Sequence, residues 1–383
     1  MRKPYSFKIE GKTFHVLSEP QKLTHFTVKS VPRPYAVSWD NGKDPIRLIN
    51  KAMNDNPANV MLIDEKIYSL YGRRFKFSRQ RMFRARATES FKTLKGVVDV
   101  IDFLQEKNIT KGETLIVVGG GIIQDVAAFV CASYKRGIPW IYFPTTLLSM
   151  CDSCIGGKTG INHNNAKNQL ALFSAPAKVI INSNFLKTLD NFAIRSGMGE
   201  ILKLLVTGGP KLFDLYQRYV TNGKVLNFHS YKPLIFGSLS VKKAIVEEDE
   251  FELNLRKSLN FGHTIGHAIE VLSKYKIPHG QAVAIGMMIV NDLSAQIKWL
   301  NVEQNSELKE LSFRLLDNKI KNIMSRLPTA KLKALLKKDK KTLGNYVTLV
   351  MLKSIGDMRF KRFCLDEKFL INIISTIKRD FCC

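Results

Sequence analysis

The chain of 383 residues is 45% hydrophobic, enough for two ordinary domains with substantial cores, and its 59 Lys and Arg against 33 Asp and Glu leave a formal net charge of +26. Such an excess admits two readings, a nucleic-acid surface or an affinity for small anionic substrates. Polar residues follow Met1-Arg2-Lys3 where a signal peptide would be apolar, no run of about 18 apolar residues occurs, and the six cysteines read as reduced thiols, so a cytoplasmic protein is expected.

Residues 1 to about 55 mix short alternating segments, His25-Phe-Thr-Val-Lys and Tyr35-Ala-Val-Ser-Trp, with a turn at Asn41-Gly42, and they read as edge strands or a hairpin. Val60-Met-Leu-Ile63 is an apolar run of buried-strand type whose carboxyl end presents Asp64. An acid so placed can meet a ribose hydroxyl in nucleotide-binding sheets. Between Gly72 and Arg86, seven basic residues interleave with Phe75, Phe77 and Phe83. Aromatic and basic residues together suit nucleic acid, but a solvated basic strand or loop is the simpler reading. Leu94 to Lys107 predicts an amphipathic helix with Val97, Val98, Ile101 and Leu104 on its apolar stripe.

Thr114-Leu-Ile-Val-Val118 predicts a fully buried strand that runs into Gly119-Gly120-Gly121, with a helix from about Asp125 to Arg136. Glycine at a helix start lets backbone N–H groups approach a diphosphate closely. Trp140-Ile-Tyr-Phe143 predicts the next strand, ending in Pro144-Thr145-Thr146. Buried strands alternating with helices predict a parallel sheet covered on both faces. Gly156-Gly157-Lys158 could bring an ammonium to an oxyanion, but the spacing of a P-loop is absent. Cys151-Asp-Ser-Cys154 has redox spacing without the flanking residues of a thioredoxin, and Cys382-Cys383 reads as a bland tail.

After Leu189 helical periodicities dominate, which places a domain boundary near residue 187: an α/β domain over 1–186, with 1–55 as a variable extension, and an all-helical domain over 187–383. Glu200 and Lys203 share a helix face in Gly199-Glu200-Ile-Leu-Lys203, where an intrahelical ion pair is the plain alternative to a functional role. Lys242, Glu252, Arg256 and Asn260 then lead into a histidine-rich stretch. Residues 327–341 read as a lysine-rich solvated helix, and Tyr346 to Leu352 as a late strand.

Three of the seven histidines, His263, His267 and His279, fall between Asn260 and Gly280. His263 and His267 share a helix face as the ligands of a H-E-x-x-H zinc site do, but Thr264 stands where that motif needs its Glu, so a zincin protease is a poor reading. By spacing alone these two imidazoles would hold a zinc ion, with Glu200 as the natural third ligand.

Taken together, G-G-G-I-I-Q-D, P-T-T-L-L, D-S-C-I-G-G-K-T, K-N-Q, G-E-I-L-K and N-F-G-H-T-I-G-H with a downstream H-G make the chain similar to the 3-dehydroquinate synthases and the wider sugar phosphate cyclases, over roughly residues 60 to 356. The resemblance implies an N-terminal NAD-binding α/β domain, a helical metal- and substrate-binding domain, a homodimer, and a cytoplasmic lyase of the shikimate route to aromatic amino acids. It implies zinc or cobalt on Glu200, His263 and His279, with His267 moved to the substrate phosphate. Lys158, Asn168 and Asn260 would hold substrate anions, Arg136 would reach in from the partner subunit, and Lys203, Lys242 and Asp152 would contact ring hydroxyls. Arg256 would grip the substrate carboxylate, with Glu252 beside it. NAD would lie against Asp64, Lys92, Gly120, Gly121 and Asp125, then Thr145, Thr146 and Leu148, and finally Asp152, Ser153, Lys167 and Thr188.

The implied reaction converts 3-deoxy-arabino-heptulosonate 7-phosphate to 3-dehydroquinate by transient oxidation, phosphate elimination, re-reduction, ring opening and aldol closure. Lys66 and Thr348 depart from the family pattern, at the adenosine ribose and at a basic phosphate contact. The residues around Glu200 also resemble relatives that cyclise sedoheptulose 7-phosphate, an amino analogue or glucose 6-phosphate. Polyol dehydrogenases and a nucleic-acid-binding protein on the same scaffold are the remaining readings, and neither nucleic acid nor membrane is the expected partner.

Overall fold

Two apolar strands with no polar face set the architecture of the first half of the chain. The computed structural model describes residues 5–16, 22–31, 33–40, 42, 44–164, 166–220, 231–338 and 342–382. Cys383, in the expected tail, and residues 339–341 of the expected lysine-rich helix lie outside the described residues. In chain order the elements begin with β1 (Tyr5–Ile9), β2 (Lys12–Val16), β3 (His25–Val28), β4 (Tyr35–Trp39), α1 (Pro45–Asn54), β5 (Val60–Asp64), α2 (Glu65–Tyr71) and β6 (Met82–Ala85). They continue with α3 (Leu94–Glu106), β7 (Leu115–Gly119), α4 (Gly121–Ser133), β8 (Trp140–Pro144), β9 (Lys158–His163), β10 (Ala166–Phe173) and β11 (Lys178–Ile181). The rest are α5 (Asn191–Thr207), α6 (Pro210–Val220), α7 (Tyr231–Glu248), α8 (His263–Leu272), α9 (His279–Gln296), α10 (Val302–Phe313), α11 (Asn318–Ser325), α12 (Leu332–Lys338), β12 (Thr342–Leu343), β13 (Tyr346–Ser354), β14 (Asp357–Cys364) and α13 (Glu367–Phe381).

The described residues form two units, one within Gln21–Leu189 together with Asn227–Lys232, the other within Met1–Pro20, Asp190–Leu226 and Pro233–Cys383. The first holds a seven-stranded sheet in the order β3-β4-β11-β8-β7-β5-β6. All neighbours from β4 to β6 pair parallel, and only the edge hairpin of β3 with β4 is antiparallel. From β5 the chain moves to β6 on one side, and from β7 it moves to β8 and β11 on the other. The carboxyl ends of the adjacent strands β5 and β7 therefore flank a switch point, where ligands of open parallel sheets bind. Every residue of β7 is buried, as parallel strands covered on both faces require.

The helix expected over 94–107 is α3, but its buried stripe is Val97, Val100 and Leu104, while Val98 is 49% exposed. The helix expected over 125–136 is α4, which starts earlier because Gly120 is its N-cap. It stops earlier because Lys135 and Arg136 have φ of 50° and 62°. The basic stretch is largely occupied by structure. Arg81 donates to the carbonyls of Met53 (2.6 Å), Asn56 (3.1 Å) and Asn59 (2.8 Å). Arg86 pairs with Glu65 at 2.8 Å, Arg74 with Asp44, and Arg84 lies over the Tyr68 ring.

The second unit is largely helical around α5, α8 and α9, and α9 is buried over nearly its whole length. It also carries a five-stranded sheet, β12-β13-β14-β1-β2, so the expected late strand has partners from the chain's first residues. β1 pairs parallel with β14 and antiparallel with β2. An ionic cluster ties the C-terminal helix down: Lys309 on α10 meets Asp292 of α9 (2.8 Å) and Asp380 of α13 (2.9 Å), and Arg379 of α13 also pairs with Asp292. No helix among the described residues is long and apolar enough to cross a membrane.

Candidate active site

Glycine brings the ligand-bearing helices together. Asp190 starts α5 by accepting from the Ala193 N–H (2.8 Å), and a left-handed Gly262 (φ 74°) starts α8. A Cβ on Gly199 of α5 would lie 2.0 Å from the Gly280 carbonyl of α9, and one on Gly280 would lie 1.8 Å from that of Ser196. A Cβ on Gly286 would meet the Gly262 carbonyl at 2.0 Å. Side chains would force these backbones apart, so the glycines decide how closely α5, α8 and α9 approach. The residues beside them in sequence are Glu200, His263 and His279.

Glu200 is 1% exposed, and its carboxylate faces both rings: Oε1 lies 3.3 Å from His279 Nε2 and 3.7 Å from His263 Nε2. One ligand atom from each of the three falls within 4.8 Å of the others. The other ring nitrogens are engaged, His263 Nδ1 with the Phe261 carbonyl (3.1 Å) and His279 Nδ1 with Glu270 (3.3 Å). Lys203 Nζ meets Glu200 Oε2 at 2.5 Å, the intrahelical pair that spacing allows. Burial acts to lower the pKa of His279, but hydrogen bonds and charge from Glu200 and Glu270 outweigh it and raise the pKa to about 10.

A carboxylate and two imidazoles converging through their Nε2 atoms form the donor set of a catalytic zinc site, with three protein ligands and room for one more. The donors present therefore fit a divalent metal. His267, which spacing alone would pair with His263, does not join Glu200. It belongs instead to a second grouping with Glu270 and His279, its ring 5.3 Å from that of His263 and 5.8 Å from that of His279.

In the same unit Lys242 is a buried residue of α7 and Arg256 is 1% exposed. Asp249 organises the loop between them by accepting from the N–H groups of Leu253 (2.8 Å), Asn254 (2.8 Å) and Arg256 (2.9 Å). Burial would raise the Asp249 pKa, yet those three N–H groups bring it below the usual carboxylate range. Asn260 donates to Glu252 at 2.8 Å, and Glu252 takes a left-handed φ of 59°. Thr348 on β13 stands directly across from Arg362 on β14.

In the sheet unit Asp64 ends β5 and caps α2 through the Lys66 N–H (3.0 Å). Burial raises its pKa against that bond. Beside it a hollow is lined by Asp64, Glu65, Lys66, Ser69, Arg86 and Thr88. At the end of β7, Gly120 opens α4 with no side-chain cap, so the positive helix end carries bare N–H groups. A Cβ on Gly120 would press on Thr146 at 3.0 Å, and one on Gly121 would find only Ser153 Oγ at 3.9 Å, which leaves room for a diphosphate to approach the backbone. Lys92 and Asp125 form a largely buried ion pair at 2.5 Å, in which burial still raises the Asp125 pKa.

Thr145 takes its place by donating its N–H to the Gly119 carbonyl (3.0 Å), and Thr146 bonds Ser149 (2.8 Å). Leu148 leads into a π-helical turn, Ser149–Ser153, that carries Asp152, and Ser153 donates to Gln124 (2.6 Å). Lys167 pairs with Glu89 at 3.1 Å. Lys158, Asn168, Thr188 and Arg136 are exposed, and Asn168 has a φ of 52°.

Sequence reasoning missed Glu270, Glu89 and Gln124. For Glu270 a signal existed: it follows His263 by seven positions and His267 by three, on the same helix face. For Glu89 and Gln124 none did, because their partners Asn162, Lys167 and Ser153 are distant in sequence.

Family sequence models described as 3-dehydroquinate synthase N-terminal and C-terminal match residues 82–196 and 197–342. The 3-dehydroquinate synthase of Clostridium tetani (strain Massachusetts / E88) is 37% identical over 269 residues, covering 69% of this chain and 72% of that protein. That of Streptococcus thermophilus (strain CNRZ 1066) is 35% identical over 322 residues, covering 81% and 89%. Among solved structures, 2-epi-5-epi-valiolone synthase from Streptomyces hygroscopicus subsp. jinggangensis 5008, with NAD+ and Zn2+ bound, shares the fold with a TM-score of 0.73 at 24% identity, covering 92% of this chain and 98% of that one. On this evidence the chain belongs to the 3-dehydroquinate synthase family.

Proposed function

We propose that the protein is a 3-dehydroquinate synthase, a phosphate-eliminating lyase that cyclises 3-deoxy-arabino-heptulosonate 7-phosphate with NAD and a divalent metal. The observation that carries this reading is the convergence of Glu200, His263 and His279 within 4.8 Å. When bound, the metal supplies Lewis acidity toward a secondary alcohol, and the dinucleotide supplies a hydride acceptor regenerated within the turnover.

The chain's own residues do the rest. The bare N-terminus of α4 and Gly120-Gly121 take the cofactor diphosphate, Asp64 the adenosine ribose, and Lys92, Asp125, Thr145, Thr146, Leu148, Asp152, Ser153, Lys167 and Thr188 the remainder. Arg256 forms a bidentate pair with the substrate carboxylate, with Asn260 and Glu252 beside it. Lys203 and Lys242, both buried, donate to ring hydroxyls and hold the alcohol in place while its proton leaves. Lys158, Asn168 and His267 hold the phosphate that departs. We also assign the protein a homodimeric state in which Arg136 serves the partner's site.

The test is incubation of the metal-loaded protein and NAD with candidate heptulose phosphates, read by phosphate release and product mass. Release from 3-deoxy-arabino-heptulosonate 7-phosphate with a product of 3-dehydroquinate mass, abolished by a chelator and restored by zinc or cobalt, is the expected result. Release from sedoheptulose 7-phosphate alone would identify a different cyclase, and release from neither would overturn the reading.

A further inference from the structure

The His279 ring is held between two carboxylates. Its Nε2 lies 3.3 Å from Glu200 Oε1 and its Nδ1 lies 3.3 Å from Glu270 Oε2. We propose that Glu270 is a positioning residue for the metal centre, accepting the Nδ1–H of His279 so that the Nε2 lone pair is presented toward Glu200 and the ion. This rests on the reading of Glu200, His263 and His279 as the metal ligands.

A neutral imidazole has one N–H and one lone pair, and the partner of one nitrogen decides which atom carries which. Were the proton on Nε2, His279 could not ligate through the nitrogen that faces Glu200. A carboxylate at Nδ1 removes that alternative and makes the other nitrogen a stronger donor. At the same ring atom His263 meets a neutral acceptor, the Phe261 carbonyl at 3.1 Å, where His279 meets a carboxylate.

The fold also holds Glu270 in place. It is 8% exposed on α8, and its carbonyl accepts from Ser273 Oγ (3.0 Å) and the Tyr275 N–H (2.7 Å). Lys274 and Tyr275 follow with φ of 54° and 58°, turning the chain toward α9 and His279. Glu270 thus links the end of one ligand-bearing helix to the start of the next. The grouping of His267, Glu270 and His279 offers the competing possibility that Glu270 is itself a ligand, and stoichiometry separates the two.

The experiment compares the wild-type chain with Glu270→Gln and Glu270→Ala, each stripped of metal and checked for folding by thermal melting. Zinc affinity is measured by competition with a chelator, and the visible spectrum of the Co2+ form is recorded during titration. Wild type should bind one ion per chain. Glu270→Gln, which keeps the acceptor and loses the charge, should weaken binding about 10-fold, and Glu270→Ala by up to about 100-fold, with shifted Co2+ bands and turnover partly recovered at saturating metal. Should the Ala variant not fold, the near-isosteric Gln variant decides. Wild-type affinity and an unchanged Co2+ spectrum in a folded Gln variant would overturn the proposal, as would a second Co2+ per chain that disappears in the variants. Wild type that binds no ion, or binding that survives Glu200→Ala together with His263→Ala, would instead sink the metal reading and take this inference with it.

Discussion

His279 concentrates the residue-scale physics. In the metal-free chain its pKa is raised to about 10, because Glu200 and Glu270 outweigh the burial that would lower it. An unfolded histidine titrates near 6.5, so the folded state holds a proton that the unfolded state releases over that interval. The stabilisation is complete below about pH 6.5 and is lost as pH rises through about 10. The melting temperature of metal-free protein should therefore fall across this window, and His279→Gln should flatten the profile; an equally steep fall in the variant would refute the assignment. Glu200 and His263 could be found in the sequence because their neighbours form motifs. Glu270 was passed over although it shares a helix face with His263 and His267, because a glutamate late in a helix ordinarily faces water.

At the scale of elements, three helices meet backbone to backbone. Gly280→Ala would place a methyl group 1.8 Å from the Ser196 carbonyl, which belongs to rigid helix backbone and cannot swing aside as a flexible side chain would. α5 and α9 must then separate, at an expected loss of roughly 1–3 kcal/mol in stability, and His279 moves with the helix that carries it, so metal affinity should fall as well. Gly42→Ala, where nothing lies within 4 Å, is the control and should leave both unchanged. Thermal melting and chelator competition read the two effects; a Gly280→Ala protein indistinguishable from wild type would contradict the packing argument. Alternation and apolar runs were enough to place β5, β7, β8 and α3 from sequence. The expected stripe of α3 held at Val97 and Leu104 and failed at Val98, because helical spacing alone did not show whether Val98 or Val100 turns inward.

The whole molecule joins two units whose chain segments interleave, since β1 and β2 open the sequence yet pair beside β14. Arg136, exposed and in a left-handed conformation at the end of α4, is the residue assigned to a partner's site. If so, Arg136→Ala and Lys203→Ala dimers, each inactive alone, should regain activity when subunits exchange, because half of the mixed dimers' sites are then intact. Mixing without recovery, under conditions where exchange is verified by mass, would confine Arg136 to its own chain. The sequence by itself determined the strand, glycine turn and helix of the sheet unit, the helical character beyond Leu189 and the residue types available for a metal, because these follow from periodicity and short-range sterics. Spacing alone pointed to His267 and the family motifs to His279; only the tertiary structure showed how His279 meets Glu200, that Glu270 backs it, and that the first strands complete a sheet at the far end of the chain. Each of those depends on contacts between residues remote in sequence, which no local pattern encodes.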